Sequence, residues 1–303
     1  MEKTSVLVIA GPTASGKTDL AVELAKRYGG EVVSADSMQI YKRMNIGTAK
    51  PDMAELQGIP HHMMDFLEPQ EGYSVAEYVK SAHEIIADIK SRGKLPIIAG
   101  GTGLYINSLI DDVEFSPAED NGEIRAELEE RVRCEGIESL MEELWKIDPV
   151  SAEKIHPNNT KRVIRAVEYY RLNNAPISEQ SRERESSRYS PLMLMIDRPR
   201  ALLYERIEKR VDIMLGCGLI DEVSGLMAEG LTKKNLSMQG IGYKEVIDYL
   251  RGFSTKSEMT RIIKRDTRHY AKRQLTWFNR DKRMHKIDGD LLAAAVKVIE
   301  DNR

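Results

Sequence analysis

Short apolar runs alternate with segments of helical periodicity along much of the chain. The runs cover residues 5–10, 31–35, 61–66, 95–99 and 192–197. They lack a strict apolar–polar alternation, which is typical of strands that are covered on both faces. The segment 19–28 places its apolar residues on one helical stripe, and a Gly29-Gly30 pair ends it. This alternation predicts an α/β fold with a parallel sheet and right-handed crossovers.

The alternation breaks between residues 116 and 190. Residues 123–145 predict a strongly charged helix, residues 161–172 predict a second, amphipathic helix, and residues 180–190 are polar. We interpret the block as a helical lobe inserted before the last strand, and the pattern after residue 201 as entirely helical. The expected domains are a core of residues 1–115 and 191–303, which ends in helices, and an inserted helical domain of residues 116–190.

A phosphate-binding loop follows the first apolar run. The pattern G-x-x-x-x-G-K-[ST] is matched by Gly11, Pro12, Thr13, Ala14, Ser15, Gly16, Lys17 and Thr18. Its glycines let backbone N–H groups point at phosphate oxygens, and the following helix presents its positive end. Lys17 adds a mobile charge, and the Thr18 hydroxyl can hold Mg²⁺ that bridges the same oxygens. The preceding strand and following helix supply the required context, so we expect a P-loop NTPase-like core.

The loop does not identify the phosphates that it binds. A P-loop ATPase should carry an acid at the end of a later strand, but residues 95–99 run into a Gly-Gly-Thr-Gly turn. The first acid at a strand end is Asp36, and Thr102 lies at the end of another strand. Carboxyl ends of parallel strands face the ligand cleft, so Asp36 is the candidate base, with a helix N-cap or outer magnesium ligand as its alternative. Thr102 is either a partner of Asp36 at the cleft or a simple turn residue.

Charge is unevenly distributed in this chain of 303 residues with a net charge of −3. Residues 123–153 carry ten Asp/Glu against four Lys/Arg, whereas residues 261–286 carry ten Lys/Arg against two Asp. Lys272 and Arg273 belong to the basic stretch, which has aromatic residues between its cations. A local basic face can attract a polyanion even when the whole chain is mildly acidic. The pair Arg206 and Arg210, one helical turn apart, offers a second cation for a diphosphate.

The cysteines and the hydropathy of the sequence argue against a zinc protein, a disulfide-stabilised protein and a membrane protein. Cys134 and Cys217 stand alone, so neither a zinc site nor a disulfide framework is predicted. No stretch approaches the ~18 apolar residues that a membrane helix needs. We therefore expect a cytoplasmic protein without a membrane partner.

Several motifs resemble those of the bacterial tRNA dimethylallyltransferase (tRNA isopentenyltransferase) family. They are Asp36-Ser37-Met38-Gln39-Ile40-Tyr41-Lys42, Gly47-Thr48-Ala49-Lys50-Pro51, Gly100-Gly101-Thr102-Gly103-Leu104-Tyr105, Lys161-Arg162-Val163-Ile164-Arg165, Gln239-Gly240-Ile241-Gly242-Tyr243-Lys244 and Ala271-Lys272-Arg273-Gln274-Leu275-Thr276-Trp277-Phe278. They occur in the family's order over nearly the whole chain. The P-loop is generic, whereas the Asp-Ser and Gly-Thr-Ala-Lys-Pro segments are specific.

The resemblance implies transfer of a dimethylallyl group from dimethylallyl diphosphate to N6 of adenosine 37 in tRNAs that read codons beginning with U. It implies Mg²⁺ as cofactor, the diphosphate in the P-loop, Asp36 as base with Thr102 beside it, and Arg210 on the diphosphate. The implied contacts to the anticodon stem-loop come from Asp36, Ser37, Met38, Gln39, Thr102, Arg125, Lys161, Arg162, Arg165, Gln239, Gly240, Gly242, Tyr243 and Lys244, to which the basic stretch adds Lys272 and Arg273. We expect a monomer.

Three other functions fit parts of the pattern. An adenylate isopentenyltransferase would use the same donor but would not need the basic C-terminal helix or the patch at residues 161–165. A P-loop small-molecule kinase would place ATP in the loop and a hydroxyl at Asp36, and the loop alone does not exclude it. A non-catalytic RNA-binding P-loop module would leave Asp36 and Thr102 without a role. Whether ATP also binds the loop stays open; we expect weak binding at most.

Overall fold

The computed structural model describes residues 3–113, 122–179 and 187–302. It divides the chain into two compact units, Met1–Asp112 with Ser186–Arg303, and Val113–Glu185. The second unit starts three residues before the predicted 116 and ends at Glu185 rather than at 190, because Tyr189 and Ser190, expected in the lobe, begin a strand of the first unit. Within the described ranges, no helix is long and apolar enough to cross a membrane.

The first unit is built on a parallel sheet. Its described strands are β1 (Thr4–Ala10), β2 (Gly30–Ala35), β3 (His61–His62), β4 (Leu95–Gly100), β5 (Tyr189–Ile196) and β6 (Met284–Ile287), in the order β3-β2-β4-β1-β5-β6. All neighbouring pairs are parallel. The prediction of an α/β parallel sheet is confirmed. The prediction that everything after residue 201 is helical is wrong, because β6 joins the edge of the sheet there.

Helices of the first unit pack on the sheet, and the second unit is made of further helices. They are α1 (Lys17–Tyr28), α2 (Met53–Leu56), α3 (Val75–Ser91), α4 (Gly103–Ile110), α9 (Arg200–Gly216), α10 (Leu219–Ala228), α11 (Tyr243–Leu250), α12 (Lys256–Phe278) and α13 (Leu291–Asp301), and those of the second unit are α5 (Glu123–Glu135), α6 (Glu138–Ile147), α7 (Pro149–Lys154) and α8 (Thr160–Asn173). The single charged helix expected over 123–145 is two helices, because Gly136 adopts a left-handed φ of 85° between them.

The sheet is covered on both faces. Leu7, Ile97 and Leu194 pack with residues of α1 and α13 in one apolar cluster. Val8 and Ile98 are their chain neighbours and point to the opposite face, yet both are fully buried. Burial on both faces explains why the strands lack alternation, and it leaves the carboxyl edge of the sheet as the place for a site.

Each part outside the sheet has an apolar core of its own. In the first unit, α9 to α12 enclose a cluster with Tyr41, Met44 and Tyr243 at its centre. In the second unit, Leu128, Leu140, Leu144, Val163 and Val167 are fully buried against one another. The stripe predicted over 161–172 corresponds to the buried face of α8. The polar stretch 180–190 lies largely outside the described residues.

Candidate active site

The phosphate loop lies at the carboxyl end of β1. Gly16 has a φ of 98° and Ala14 a φ of 61°, so the backbone turns twice through the left-handed region. Such turns direct successive N–H groups into one concavity, and α1 begins at Lys17 with its positive end toward it. A Cβ at Gly11 would lie 3.3 Å from the carbonyl oxygen of Ile196, which leaves little room for a side chain beside β5.

A buried hydroxyl inside this loop has no partner in the described chain. The Ser15 side chain is fully buried, and its Oγ makes no hydrogen bond with any described residue. Leaving a buried polar group unpaired costs on the order of 1–3 kcal/mol. An anion in the loop would accept a hydrogen bond from this hydroxyl, so the orphaned Oγ fits a phosphate-binding role.

Three side chains hold the loop from outside. Arg198 Nε donates to the carbonyl oxygen of Ser15 at 2.7 Å, and Arg206 Nε donates to that of Ala14 at 2.8 Å. The Oε1 of Gln274, on α12, accepts from the backbone N–H of Thr13 at 2.9 Å. Arg206, considered from the sequence as a second cation for a diphosphate, therefore binds the loop's backbone. The sequence predicted that the Thr13 N–H would face the phosphate-binding concavity, but in the structure it donates to Gln274 instead.

Lys17 and Arg210 supply partly buried positive charge. Lys17 Nζ donates to the Pro12 carbonyl oxygen at 2.7 Å. Burial lowers the pKa of Lys17 to about 8, against the raising effect of Asp36, while Arg210 lowers it further. Burial also lowers the pKa of Arg210, opposed by Asp36. These couplings place both cations and the Asp36 carboxylate in one electrostatic site, and the guanidinium of Arg210 makes no hydrogen bond within the described residues.

Asp36 follows β2 at the same edge of the sheet. Its Oδ1 accepts from the backbone N–H groups of Met38 at 2.9 Å and Gln39 at 3.3 Å. No helix begins here in the described chain, so these bonds close an Asx turn rather than form the helix N-cap that the sequence offered as the alternative, and they use one oxygen. In the described chain the Oδ2 accepts no hydrogen bond, so it is available to a ligand.

Thr102 lies at the end of β4, next to Asp36. Its Oγ1 accepts from the backbone N–H of Ser37 at 3.1 Å and donates to Ser37 Oγ at 3.3 Å. The turn before it is tight: a Cβ on Gly100 would lie 2.2 Å from the carbonyl oxygen of Ala35, so only glycine fits. The Tyr270 side chain lies beside Thr102, and burial together with the Asp36 charge raises the pKa of Tyr270 to about 12.

No protein-built metal site accompanies these groups. Among the described residues, no cluster of three or more His, Cys, Asp or Glu could hold a metal ion. The donor set fits Mg²⁺ only where the Thr18 hydroxyl and phosphate oxygens of a ligand bind the ion together.

The segment after Asp36 is fixed by side chains from distant helices. Gln39 Nε2 donates to the Ala49 carbonyl oxygen at 3.1 Å. The carboxylate of Glu222, on α10, accepts from the backbone N–H groups of Asn45, Ile46 and Gly47 at 2.8, 2.7 and 3.0 Å. Glu222 therefore satisfies three consecutive backbone donors at the entry to the Gly-Thr-Ala-Lys-Pro segment, the last of them its Gly47.

The predicted contact segment 239–244 packs beside this loop. Tyr243 is 1% exposed and its hydroxyl donates to Glu222 at 2.7 Å. A Cβ on Gly47 would lie 2.4 Å from the Tyr243 ring, and one on Gly240 would lie 2.7 Å from Met38 Cε. The Tyr243 side chain is thus part of the core, contrary to a direct role in RNA contact. Gln239 is exposed and Lys244 is partly exposed.

The basic residues of α12 and α8 differ in the partners that their charged groups contact. On α12, Lys272 and Arg273 are exposed, with Arg273 5.5 Å over the Tyr270 ring. On α8, Lys161, Arg162 and Arg165 are exposed. The same helix carries the buried Glu168, whose carboxylate accepts from Arg165 at 2.9 Å and lies 3.7 Å from Arg125. Two predicted RNA-contacting arginines therefore share one acid, while Lys161 and Arg162 form no ion pair within the described residues.

Sequence reasoning assigned no role to Gln274 or Glu222. Gln274 stood within a family-like motif, and a buried amide between basic residues was a usable signal. Glu222 had none, because its partners are 175–177 positions away in the chain.

A phosphate loop, two partly buried cations and a strand-end acid at one sheet edge define a P-loop enzyme that acts on a phosphate-bearing substrate. Comparisons with known proteins narrow this class. Residues 39–281 match the family model described as IPP transferase. The chain therefore belongs to the IPP transferase family.

Relatives and solved structures agree with this placement. The chain is 51% identical to a tRNA dimethylallyltransferase of Acetivibrio thermocellus over 298 residues, 98% of this chain and 95% of the relative. It is similar to the crystal structure of a tRNA isopentenylpyrophosphate transferase from Bacillus halodurans, with a TM-score of 0.73, 42% identity, and coverage of 99% and 94% of the two chains. A eukaryotic dimethylallyltransferase acting on tRNA matches with a TM-score of 0.82 and 29% identity, over 99% of this chain and 77% of that one.

Proposed function

We propose that this protein transfers the dimethylallyl group of dimethylallyl diphosphate to N6 of adenosine 37 in tRNAs that read codons beginning with U. The observation that carries the proposal is the Asp36 carboxylate, which shares one electrostatic site with Lys17 and Arg210 and keeps its Oδ2 free. Family membership and curated relatives at about half identity over nearly the whole chain support the same activity.

The donor's diphosphate fits the phosphate loop. Breaking the allylic C–O bond releases a diphosphate that carries the bonding electrons, and the rate depends on stabilising that charge as it develops. The loop amides, the Ser15 hydroxyl, Lys17 and Arg210 supply hydrogen bonds and charge without reorganising. Mg²⁺, held by Thr18 and the phosphate oxygens, would neutralise further leaving-group charge.

The acceptor needs a base. The lone pair of adenine N6 is delocalised into the ring, so the amine becomes nucleophilic only as its proton leaves. As the N6–C bond forms and the C–O bond breaks, Asp36 Oδ2 takes the N6 proton, an effect typically worth ~10²–10⁴-fold. Thr102 and Ser37 fix the carboxylate's surroundings, and Tyr270 stays neutral at physiological pH because its pKa is raised to about 12.

The RNA must present an unstacked base. Adenine N6 is inaccessible in a helix, so the nucleotide has to be flipped into the site, which is cheapest in a loop. The exposed Lys272 and Arg273 on α12, with Lys161 and Arg162 on α8, are the cations that we assign to the phosphates of an anticodon stem-loop. Gln239 and Lys244 extend the contact. We expect the enzyme to act as a monomer in the cytoplasm.

One assay with three acceptors tests the proposal. The protein is incubated with Mg²⁺, dimethylallyl diphosphate and either unmodified tRNA, free AMP or an isolated anticodon stem-loop, and nucleosides are analysed by mass spectrometry. Prenylated adenosine at position 37 of tRNA, with little on AMP, is the expected result. Product on AMP alone would indicate an adenylate isopentenyltransferase, and product only when ATP replaces the prenyl donor would indicate a kinase.

A further inference from the structure

One face of α12 lines the site. Tyr270, Gln274 and Trp277 stand at intervals of four and three residues and therefore share one side of the helix. The Tyr270 side chain lies beside Thr102. Trp277 Nε1 donates to Asn107 Oδ1 at 3.0 Å, and its ring leaves no space for a side chain on Gly103.

Gln274 joins the two halves of the site. Its Oε1 accepts from the Thr13 N–H of the phosphate loop at 2.9 Å, and its Nε2 donates to the Gly101 carbonyl oxygen at 2.9 Å. The side chain is 6% exposed, so both bonds are shielded from water. A Cβ on Gly101 would lie 2.2 Å from Nε2, so the amide fills the gap beside the turn.

Only a primary amide makes this link. It offers a hydrogen-bond donor and an acceptor on one rigid plane, whereas a carboxylate cannot donate and a thioether makes neither strong bond. One bond is made to the phosphate loop, which holds the prenyl diphosphate. The other is made to Gly101, the residue before Thr102, and Thr102 in turn orders the segment after Asp36. A change of about 1 Å between reacting groups costs on the order of 10²-fold in rate.

We propose that Gln274 is a positioning residue that fixes the phosphate loop relative to the Asp36–Thr102 edge, so that the geometry of the reaction depends on the seating of α12. The inference rests on the proposed function. Gln274 is not a catalytic residue, because it contacts neither reacting group. Its loss should lower turnover while the exposed cations of α12 still bind RNA.

Two variants separate the two bonds. Gln274→Met removes both, and Gln274→Glu keeps an acceptor for Thr13 but loses the donor to Gly101. For the methionine variant we expect a 10–100-fold lower kcat with a KM for tRNA within about threefold of wild type. The glutamate variant should also lose kcat, and because its carboxylate adds negative charge beside the phosphate loop it should have a weaker Kd for the prenyl diphosphate than the neutral methionine variant. Thr276→Ala, an exposed position two residues on, is the matched control and should retain wild-type kinetics.

A fluorescence measurement shows whether α12 stays in place. The chain has two tryptophans, so a Trp145→Phe background leaves Trp277, at the end of the α12 face, as the reporter. If Trp277 emission is unchanged while kcat is reduced, α12 has stayed in place, and the result supports a positioning role for Gln274. Wild-type kcat in both variants overturns the inference, as does an equal loss of donor affinity, tRNA affinity and melting temperature. Failure of the wild-type protein to prenylate tRNA would instead contradict the proposed function, and the donor Kd comparison would still test the loop contact.

Discussion

The two oxygens of the Asp36 carboxylate have different surroundings. Oδ1 is held by two backbone N–H groups, and Oδ2 accepts no hydrogen bond in the described chain. The first interaction orients the group, and the second oxygen remains for a proton. This division lets one residue both close the turn after β2 and act as a base, and no helix N-cap is involved.

Asp36→Asn separates these two roles. The amide oxygen can still accept from Met38 and Gln39, but the side chain cannot take a proton at neutral pH. We expect kcat to fall by ~10²–10⁴-fold, with the Kd for donor and for tRNA within a few-fold of wild type. Single-turnover kinetics with binding measured separately would check this. Asp36→Ala, which also removes the turn bonds to Met38 and Gln39, should show the same loss plus a lower melting temperature; an asparagine variant with normal turnover would exclude Asp36 as the base.

Lys17 makes donor binding sensitive to pH. Burial lowers its pKa to about 8, so in the free protein the ammonium is lost as pH rises through that value. The diphosphate binds the charged form, and its own ionisation is complete above a phosphate pKa of about 6. The donor's affinity should therefore fall between about pH 7.5 and 9.5. Titration calorimetry across this range tests it; Lys17→Arg, charged throughout, should bind with little pH dependence, and an equal slope in both proteins would assign the effect to another group.

At the scale of elements, α10 fixes the loop that follows Asp36. In Glu222→Gln the amide oxygen can replace only one of the two carboxylate oxygens, so the NH₂ group faces either the Asn45 and Ile46 donors or the Gly47 donor. Because these donors are exposed or only partly buried, losing their acceptor should cost about 1 kcal/mol of folding free energy. Because the loop borders the acceptor side, the KM for tRNA should rise by roughly tenfold while the Kd for the donor changes little. Asp221→Asn, on the exposed side of the same helix, is the control, and equal behaviour of the two variants would contradict the role of Glu222.

The exposed cations of α12 should set the salt dependence of RNA binding. Each phosphate neutralised contributes about 0.7 to the slope of log K against log salt for single strands. Lys272→Ala combined with Arg273→Ala should weaken tRNA binding and reduce that slope by roughly one to two. Binding measured at several salt concentrations gives the slope. Lys297→Ala, an exposed lysine on α13, should leave it unchanged; an unaltered slope in the double variant would remove this surface from the interface.

The local parts of the structure could be predicted, and the long-range parts could not. The phosphate loop and β2 followed from short motifs, because their geometry depends on neighbouring residues. β6 was missed because His285 and Lys286 in its centre are exposed, so a four-residue edge strand carries no apolar run. Gln274 reaches Gly101 across 173 positions, and no local pattern encodes such a contact.

At the scale of the whole molecule, the inserted unit leaves and rejoins the first one at adjacent points. Ser187 Oγ donates to the Ile110 carbonyl oxygen at 2.6 Å, and Arg188 Nε lies 3.0 Å from Asp112 Oδ2. The residues of the phosphate loop, Asp36, Thr102 and Arg210 all belong to the first unit. The second unit has its own apolar core. A linker of about six Gly/Ser residues can therefore replace 113–185 without stretching the sheet.

Such a replacement should leave the binding site for dimethylallyl diphosphate intact and weaken the binding of tRNA. We expect the Kd for dimethylallyl diphosphate to stay within a few-fold of wild type, because its ligands and their supports remain. The affinity for tRNA should fall by roughly tenfold or more, since the cations of α8 are lost. The full-length triple variant Lys161→Ala, Arg162→Ala, Arg165→Ala should reproduce much of that loss with normal donor binding, which separates the charges from the rest of the unit. Wild-type tRNA affinity in both proteins would show that α8 does not contact the RNA, and α12 with residues 239–244 would then have to supply the interface alone.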